Sequence, residues 1–308
     1  MKSGLFRAGT GIGLALLASM LSPTLTAAQP AHRYMVDVHW PKPLPHRWVL
    51  GGLGGICVDA KGHVLILNRQ DVIAGDLNGG TLAPPMIEFD PEGNVVNSWG
   101  DPKVIDSRLH SCHFDKDGNV WIASAPSGMV QKYTHDGKTL LMTIGQKGKL
   151  DSSDGTPKGK GLNTPGPAFF MPSGIDVDTN GDVYVSDGEG GGTNKRIAVF
   201  DASGKFLRHW VIDDMESVHC MRLGNDGMVY VCNRQGMAVR VYDKMGALKR
   251  TIALPWTPVT PPSNGEALKQ SGGSAVIVDF SPDQQQRLMF VVNQNNAQVD
   301  IVERESGK

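Results

Sequence analysis

The chain has 308 residues, of which 20% are charged and 40% hydrophobic, and its formal net charge is −1. That length allows a sizeable core, and the near-zero charge excludes a basic field able to hold a nucleic acid or an anionic membrane. Its 38 glycines fit a protein made mostly of tight turns.

In chain order, residues 1–28 read as a signal peptide. Lys2 and Arg7 supply the positive start, residues 11–20 the apolar stretch, and Leu25-Thr26-Ala27-Ala28 the small residues for cleavage before Gln29. The apolar run is shorter than the ~20 residues a membrane span needs. The mature chain, 29–308, is therefore expected to be periplasmic or secreted, with no membrane attachment after cleavage. Residues 34–38 read as one lone strand.

One phrase then recurs: an apolar strand, an Asx-Gly-type turn and a second apolar strand, at 56–66, 113–122, 175–185 and 221–231. The turn glycines Gly62, Gly118, Gly181 and Gly227 lie about 45–65 residues apart, which suits a blade of four short strands. Each repeat carries a second turn, such as Asp90-Pro91-Glu92-Gly93 or Ala202-Ser203-Gly204, after an alternating strand such as 197–200 or 239–242. A more degenerate fifth copy has strands at 275–280, 288–292 and 299–302, and the chain stops at Lys308 where a fourth strand is due. Blades are expected at 51–100, 108–147, 169–212, 215–254 and 272–308, with long surface loops at 146–168 and 254–271. No helix of any length is signalled. The expectation is an all-β propeller, six-bladed with its last blade incomplete, or alternatively five-bladed.

Four cysteines in an exported protein invite pairing. Cys220 and Cys232 lie on the two arms of one hairpin, where a disulfide is in reach. Cys57 and Cys112 differ in parity relative to Asp59 and Asp115, which points them to opposite faces and reads as two buried free thiols.

In a propeller the innermost strands line a central channel. Five residues before the turn-entry position stand Gly54, His110, Ser173 and His219. Two imidazoles from alternate blades, with a third from a sixth blade, would form a three-His metal cup, so His110 and His219 are the candidate metal ligands. Imidazole suits zinc among several divalent metals. The bland alternative is channel filling by hydrogen-bonded histidines. His113, at the neighbouring strand position, is expected to face between blades. At the ends of the second strands stand Arg69, Ala125, Gly188 and Arg234, and an arginine there could hold a carboxylate in a bidentate fashion. The glycine-rich run 186–196 lacks the strand-to-helix setting of a phosphate cradle, and reads as a rim loop presenting Glu189.

These repeats resemble a bacterial NHL-repeat propeller, and within that group the chain is similar to the peptidyl-alpha-hydroxyglycine alpha-amidating lyase, from Trp40-Pro41-Lys42-Pro43-Leu44-Pro45 to the last repeat. In that lyase three histidines of alternate blades hold a catalytic metal beside an arginine and a tyrosine. The resemblance sets His110, in Leu109-His110-Ser111-Cys112, and His219, in Val218-His219-Cys220, on two metal positions, and Arg69, in Leu67-Asn68-Arg69-Gln70-Asp71, on the arginine. It departs at Glu189, which stands for the tyrosine, and at the third histidine, which belongs to a blade not found here. His39, His46, a water or another chain would have to complete the ligand set.

The resemblance implies a metal-dependent C–N lyase acting on a small carbinol-type or peptide substrate, with Arg69 as its arginine; Glu189, presented by the rim loop, is the second candidate catalytic residue, and zinc is the metal expected from the imidazole donors. A second class is a non-catalytic scaffold that binds a protein or glycan on its rim. A third is a calcium-dependent lactonase-like hydrolase, whose channel would carry acidic and amide ligands where this chain has Gly54, His110, Ser173 and His219.

Overall fold

The computed structural model describes residues 34–101, 104–105, 108–257 and 274–308. The signal peptide expected at 1–28 and most of the loop at 254–271 lie outside the described residues. Residues 34–38, expected as a strand, carry none, and Met35 and Val36 are almost fully exposed. They belong to one compact unit, and the strands belong to the other, His39–Lys308.

Strands β1 (Trp48–Val49) and β4 (Thr81–Leu82) pair in parallel as a small accessory sheet. The first blade consists of β2 (Leu53–Val58), β3 (Val64–Asn68), β5 (Met86–Phe89) and β6 (Val95–Trp99). The second is β7 (Leu109–Phe114), β8 (Val120–Ser124), β9 (Met129–Tyr133) and β10 (Leu140–Gly145). The third is β11 (Pro172–Val177), β12 (Val183–Asp187), β13 (Arg196–Phe200) and β14 (Phe206–Val211). The fourth is β15 (Val218–Leu223), β16 (Met228–Asn233), β17 (Ala238–Asp243) and β18 (Leu248–Ala253). The fifth has three strands, β19 (Ala275–Phe280), β20 (Leu288–Asn293) and β21 (Gln298–Glu303). Within every blade the strands are antiparallel neighbours in chain order.

The all-β propeller is therefore met in its five-bladed form. Among the described residues five blade sheets are found, which fits the five-bladed alternative, and no further blade among them supports the six-bladed expectation. The innermost strands β2, β7, β11, β15 and β19 pack in succession, and among the described residues no comparable packing joins β19 back to β2. Ile56 and Val58 of β2, and Val299 and Ile301 of β21, stay exposed.

Turn chemistry closes the hairpins. Asp59 Oδ1 accepts from the amides of Lys61 and His63, both at 2.8 Å, and Asp115 Oδ1 from those of Asp117 and Asn119 at 3.0 and 2.9 Å. Apolar residues of neighbouring blades meet face to face between the sheets. Leu65, Leu67 and Met86 of the first blade pack against Leu109, Val120 and Ile122 of the second, and equivalent layers lie between each later pair. Each fully buried valine, leucine, isoleucine or phenylalanine there contributes about 1.5–3 kcal/mol. On the first blade's outer side, Trp40, Leu44, Trp48 and Leu50 cover Ile66, Ile87 and Phe89.

All four cysteines are paired, Cys57 with Cys112 and Cys220 with Cys232. The reading of Cys57 and Cys112 as free thiols is overturned. Adjacent blades stack face to face, so a residue on one blade meets a residue of opposite parity on the next. Differing parity is what a disulfide between blades requires.

Candidate active site in the propeller channel

Every innermost strand begins with a register shift, between Leu53 and Gly55, Leu109 and Ser111, Pro172 and Gly174, Val218 and Met221, and Ala275 and Ile277. Each bulge contains one channel position, Gly54, His110, Ser173, His219 or Val276, and a bulge re-aims the side chain it carries. At Gly54 only glycine fits, because a Cβ would collide with the Leu109 carbonyl oxygen.

His110 and His219 converge, with ring centroids 4.8 Å apart. Both are buried, each 7% exposed. His110 Nδ1 donates to the Ser173 carbonyl at 2.9 Å, and His219 Nδ1 to the Val276 carbonyl at 3.1 Å. Those bonds settle the ring orientation and leave both Nε2 atoms directed at Glu189 Oε2, at 3.5 and 2.9 Å. Neither contact has hydrogen-bond geometry, so Glu189 Oε2 is buried without a donor. Burial pushes the His219 imidazole below its ordinary range against the pull of Glu189. Burial alone would raise Glu189, but the closeness of the His110 and His219 rings outweighs it and holds the carboxyl well below the usual range. An anionic oxygen facing a neutral imidazole nitrogen is the environment of a cation, and His110, Glu189 and His219 present three ligand atoms within 4.8 Å of one another.

Glu189 reaches this point because its loop is pinned. Asp187, fully buried, accepts from the amides of Phe170 and Met171 at 3.0 and 2.8 Å, from Asn194 Nδ2 at 2.7 Å and from Arg196 Nε at 3.1 Å. Asn194 also donates to Asp151 at 2.9 Å, and Ser217 Oγ donates to the Gly188 carbonyl at 2.8 Å. The glycine-rich run is thus a rim loop, as expected.

These groups line a cavity of about 290 Å3 together with Arg69, Ser173 and Arg234. Arg69 Nε donates to the Leu109 carbonyl at 3.1 Å, and among the described residues its terminal nitrogens have no partner. Arg234 is engaged with Ser274 Oγ at 3.0 Å, Gln294 Oε1 at 3.3 Å and Glu189 Oε1 at 3.4 Å. Of the residues singled out from sequence, the structure brings His110, His219, Glu189 and Arg69 around one cavity. Neither His39 nor His46 lines it, and His46 instead packs on Trp48 at 5.4 Å.

His113 is a correction. It does not stand apart between blades, for its Nδ1 lies 2.9 Å from Asp176 Oδ1 and 3.1 Å from Arg222 Nη1, while Arg222 Nε donates to Asp279 Oδ1 at 3.1 Å. The bulge at His110 absorbs one residue, so positions three apart return to the same side. The four residues occupy one tier of successive innermost strands, and sequence reading missed Asp176, Arg222 and Asp279. The aligned spacing of the repeats contains them, three residues after Ser173, His219 and Val276.

Comparison with known proteins accords with the architecture. The NHL repeat family pattern matches residues 169–200, within the third blade. Over 223 residues the chain is 27% identical to NHL repeat-containing protein 3 of Homo sapiens, covering 68% of this chain and 57% of that protein. Over 173 residues it is 22% identical to the probable peptidyl-alpha-hydroxyglycine alpha-amidating lyase pgal-1 of Caenorhabditis elegans, covering 51% of this chain and 43% of that one. The chain thus spans about half the length of the curated relatives it matches. Among solved structures, a protein of unknown function from Bacteroides caccae superposes with a TM-score of 0.50 at 9% identity, over 82% of this chain and 77% of that one, which concerns the fold alone. Virginiamycin B lyase from Staphylococcus aureus superposes with a TM-score of 0.49 at 18% identity, over 83% and 68%.

Proposed function

The chain is an NHL-repeat propeller, and from that premise we propose that its channel is a metal-dependent C–N lyase site for a small carbinol-type carboxylate, of the kind a peptidyl-alpha-hydroxyglycine presents. The observation that carries this reading is the pair of tethered imidazoles whose Nε2 atoms face one orphaned carboxylate oxygen. His110, His219 and Glu189 would hold the metal, zinc by the chemistry of the donor set. When bound, the ion supplies Lewis-acid polarisation of a substrate oxygen.

The remaining roles belong to the chain. Glu189 is held ionised well below the usual carboxylate range, which makes it a poor proton acceptor and a good ligand. Its role is accordingly reassigned from catalysis to holding the ion. Arg69, with its terminal nitrogens open to the cavity, would receive the substrate carboxylate as a fork. Arg234 is already engaged, and would keep Glu189 in place. In the reaction the carbinol hydroxyl loses its proton, the carbonyl of glyoxylate forms, the C–N bond breaks and the leaving nitrogen gains a proton.

The distant likeness to the Caenorhabditis elegans lyase supports the reaction class. Two disulfides are consistent with an oxidising compartment, and among the described residues no helix is long and apolar enough to cross a membrane. Export to the periplasm or beyond is part of the same proposal. The test is glyoxylate release from a peptidyl-alpha-hydroxyglycine by zinc-loaded protein, lost in His219→Ala and Arg69→Ala. Metal bound without glyoxylate would sink the lyase. A second reading, a rim-binding scaffold, draws on Arg234 and Arg108 closing on Glu189 at 3.4 and 4.0 Å, and metal-free protein of unchanged stability would favour it.

A further inference from the structure

A second group of metal-type ligands lies away from the channel, where the first and second blades meet. Asp59 follows β2, His63 precedes β3, Glu88 lies in β5, and His135 sits in the turn between β9 and β10. His63 Nδ1 is 3.0 Å and His135 Nε2 is 2.9 Å from Glu88 Oε1, and each is 3.9 Å from Asp59 Oδ2. The four ligand atoms all lie within 4.8 Å of one another.

In three of the four side chains the other polar atom is occupied by the protein. Asp59 Oδ1 accepts the Lys61 and His63 amides at 2.8 Å, Glu88 Oε2 accepts from Asn97 Nδ2 at 3.3 Å, and His135 Nδ1 donates to the Gly118 carbonyl at 3.1 Å. The last bond leaves His135 Nε2 as a lone pair in the neutral ring, aimed at a carboxylate oxygen. Such outer contacts are what orient metal ligands.

Charge points the same way. The Glu88 side chain is 3% exposed and that of Asp59 6%, and among the described residues no lysine or arginine pairs with either. Two buried carboxylates without a cation are costly. The His63 and His135 side chains keep 26% and 38% exposure, so an ion has a way in.

We propose that Asp59, His63, Glu88 and His135 form a structural site for a divalent ion of the zinc type, with two imidazole nitrogens and two carboxylate oxygens as ligands. Three ligands come from the first blade and one from the second. The ion therefore ties together the two blades whose innermost strands the Cys57–Cys112 disulfide already joins. This site is independent of the channel and of any activity there.

The experiment uses the full mature chain carrying His110→Ala and His219→Ala, which removes the channel ligands. It is stripped with chelator and titrated with zinc alone, and read by elemental analysis and by melting. About one zinc per chain is expected to remain, and melting is expected to rise by roughly 5–10 °C at saturating zinc. Adding Glu88→Gln or His135→Gln should remove both effects. Should Glu88→Gln fail to fold, His135→Gln at the surface carries the test. No zinc in the channel-less protein, or zinc retained equally after His135→Gln, overturns the proposal.

Discussion

His110 of the second blade and His219 of the fourth meet edge to face, with centroids 4.8 Å apart and an interplanar angle of 66°. Their Nδ1 atoms bond to carbonyls of the third and fifth blades. Four blades thus cooperate in aiming two nitrogens at one point, and that point is a carboxylate oxygen of a fifth element, the glycine-rich loop.

Glu189→Gln keeps the shape of the cup and removes its charge. Zinc affinity of the channel should fall about 10–100-fold, measured by competition with a chromogenic chelator. Unchanged affinity would remove Glu189 from the ligand set.

Arg69→Ala should leave zinc content intact and weaken carboxylate recognition. Removing a charge-assisted hydrogen-bond pair costs about 1.5–3 kcal/mol, seen as a roughly tenfold or greater rise in the inhibition constant of glyoxylate. The same substitution at Arg234 should instead disturb zinc binding, because Arg234 rests on Glu189.

Burial depresses the His219 pKa, so its neutral, metal-competent form persists to lower pH than for a free imidazole. The loss of zinc affinity that protonation of His219 causes should therefore set in at lower pH than for an ordinary imidazole. A titration that shows the loss already at the pH where an ordinary imidazole protonates would contradict this assignment.

Asp176 is buried; burial would raise its pKa, but His113, Arg222 and the Leu223 amide outweigh that and hold it well below the carboxylate range. Its folded pKa is depressed, so its stabilisation is fully present above the unfolded value of about 3.9 and is lost as pH falls through the folded one. Asp176→Asn should cost about 3 kcal/mol at neutral pH, near the low end for a broken buried pair because Arg222 keeps 24% of its side chain exposed. The variant should lose less stability than the parent on acidification below about pH 4, read by urea denaturation at each pH.

The two disulfides should differ in weight. Cys57–Cys112 closes a separation of 55 residues and Cys220–Cys232 one of 12, so by loop entropy replacing the pairs with alanine costs about 4 and about 3 kcal/mol respectively. Peptide mapping without reductant should recover both links, and free Cys57 or Cys112 thiols would refute the pairing between blades.

Much of this molecule was legible in one dimension because hairpins are local. An Asx-Gly turn between two alternating strands declares itself within ten residues or so, and its recurrence reports blades, their order and the positions that share a tier. His110 and His219 were found by that alignment alone. What lies between blades was not legible. The Cys57–Cys112 link, the tier of His113, Asp176, Arg222 and Asp279, and the approach of Glu189 to two imidazoles all depend on how separate sheets face one another. They also depend on a bulge that shifts parity by one residue and leaves no mark in the alternation. Sequence periodicity determines which way a side chain points from its own sheet; only the packing of one sheet against the next decides what it meets, because that contact joins residues with no local relation along the chain.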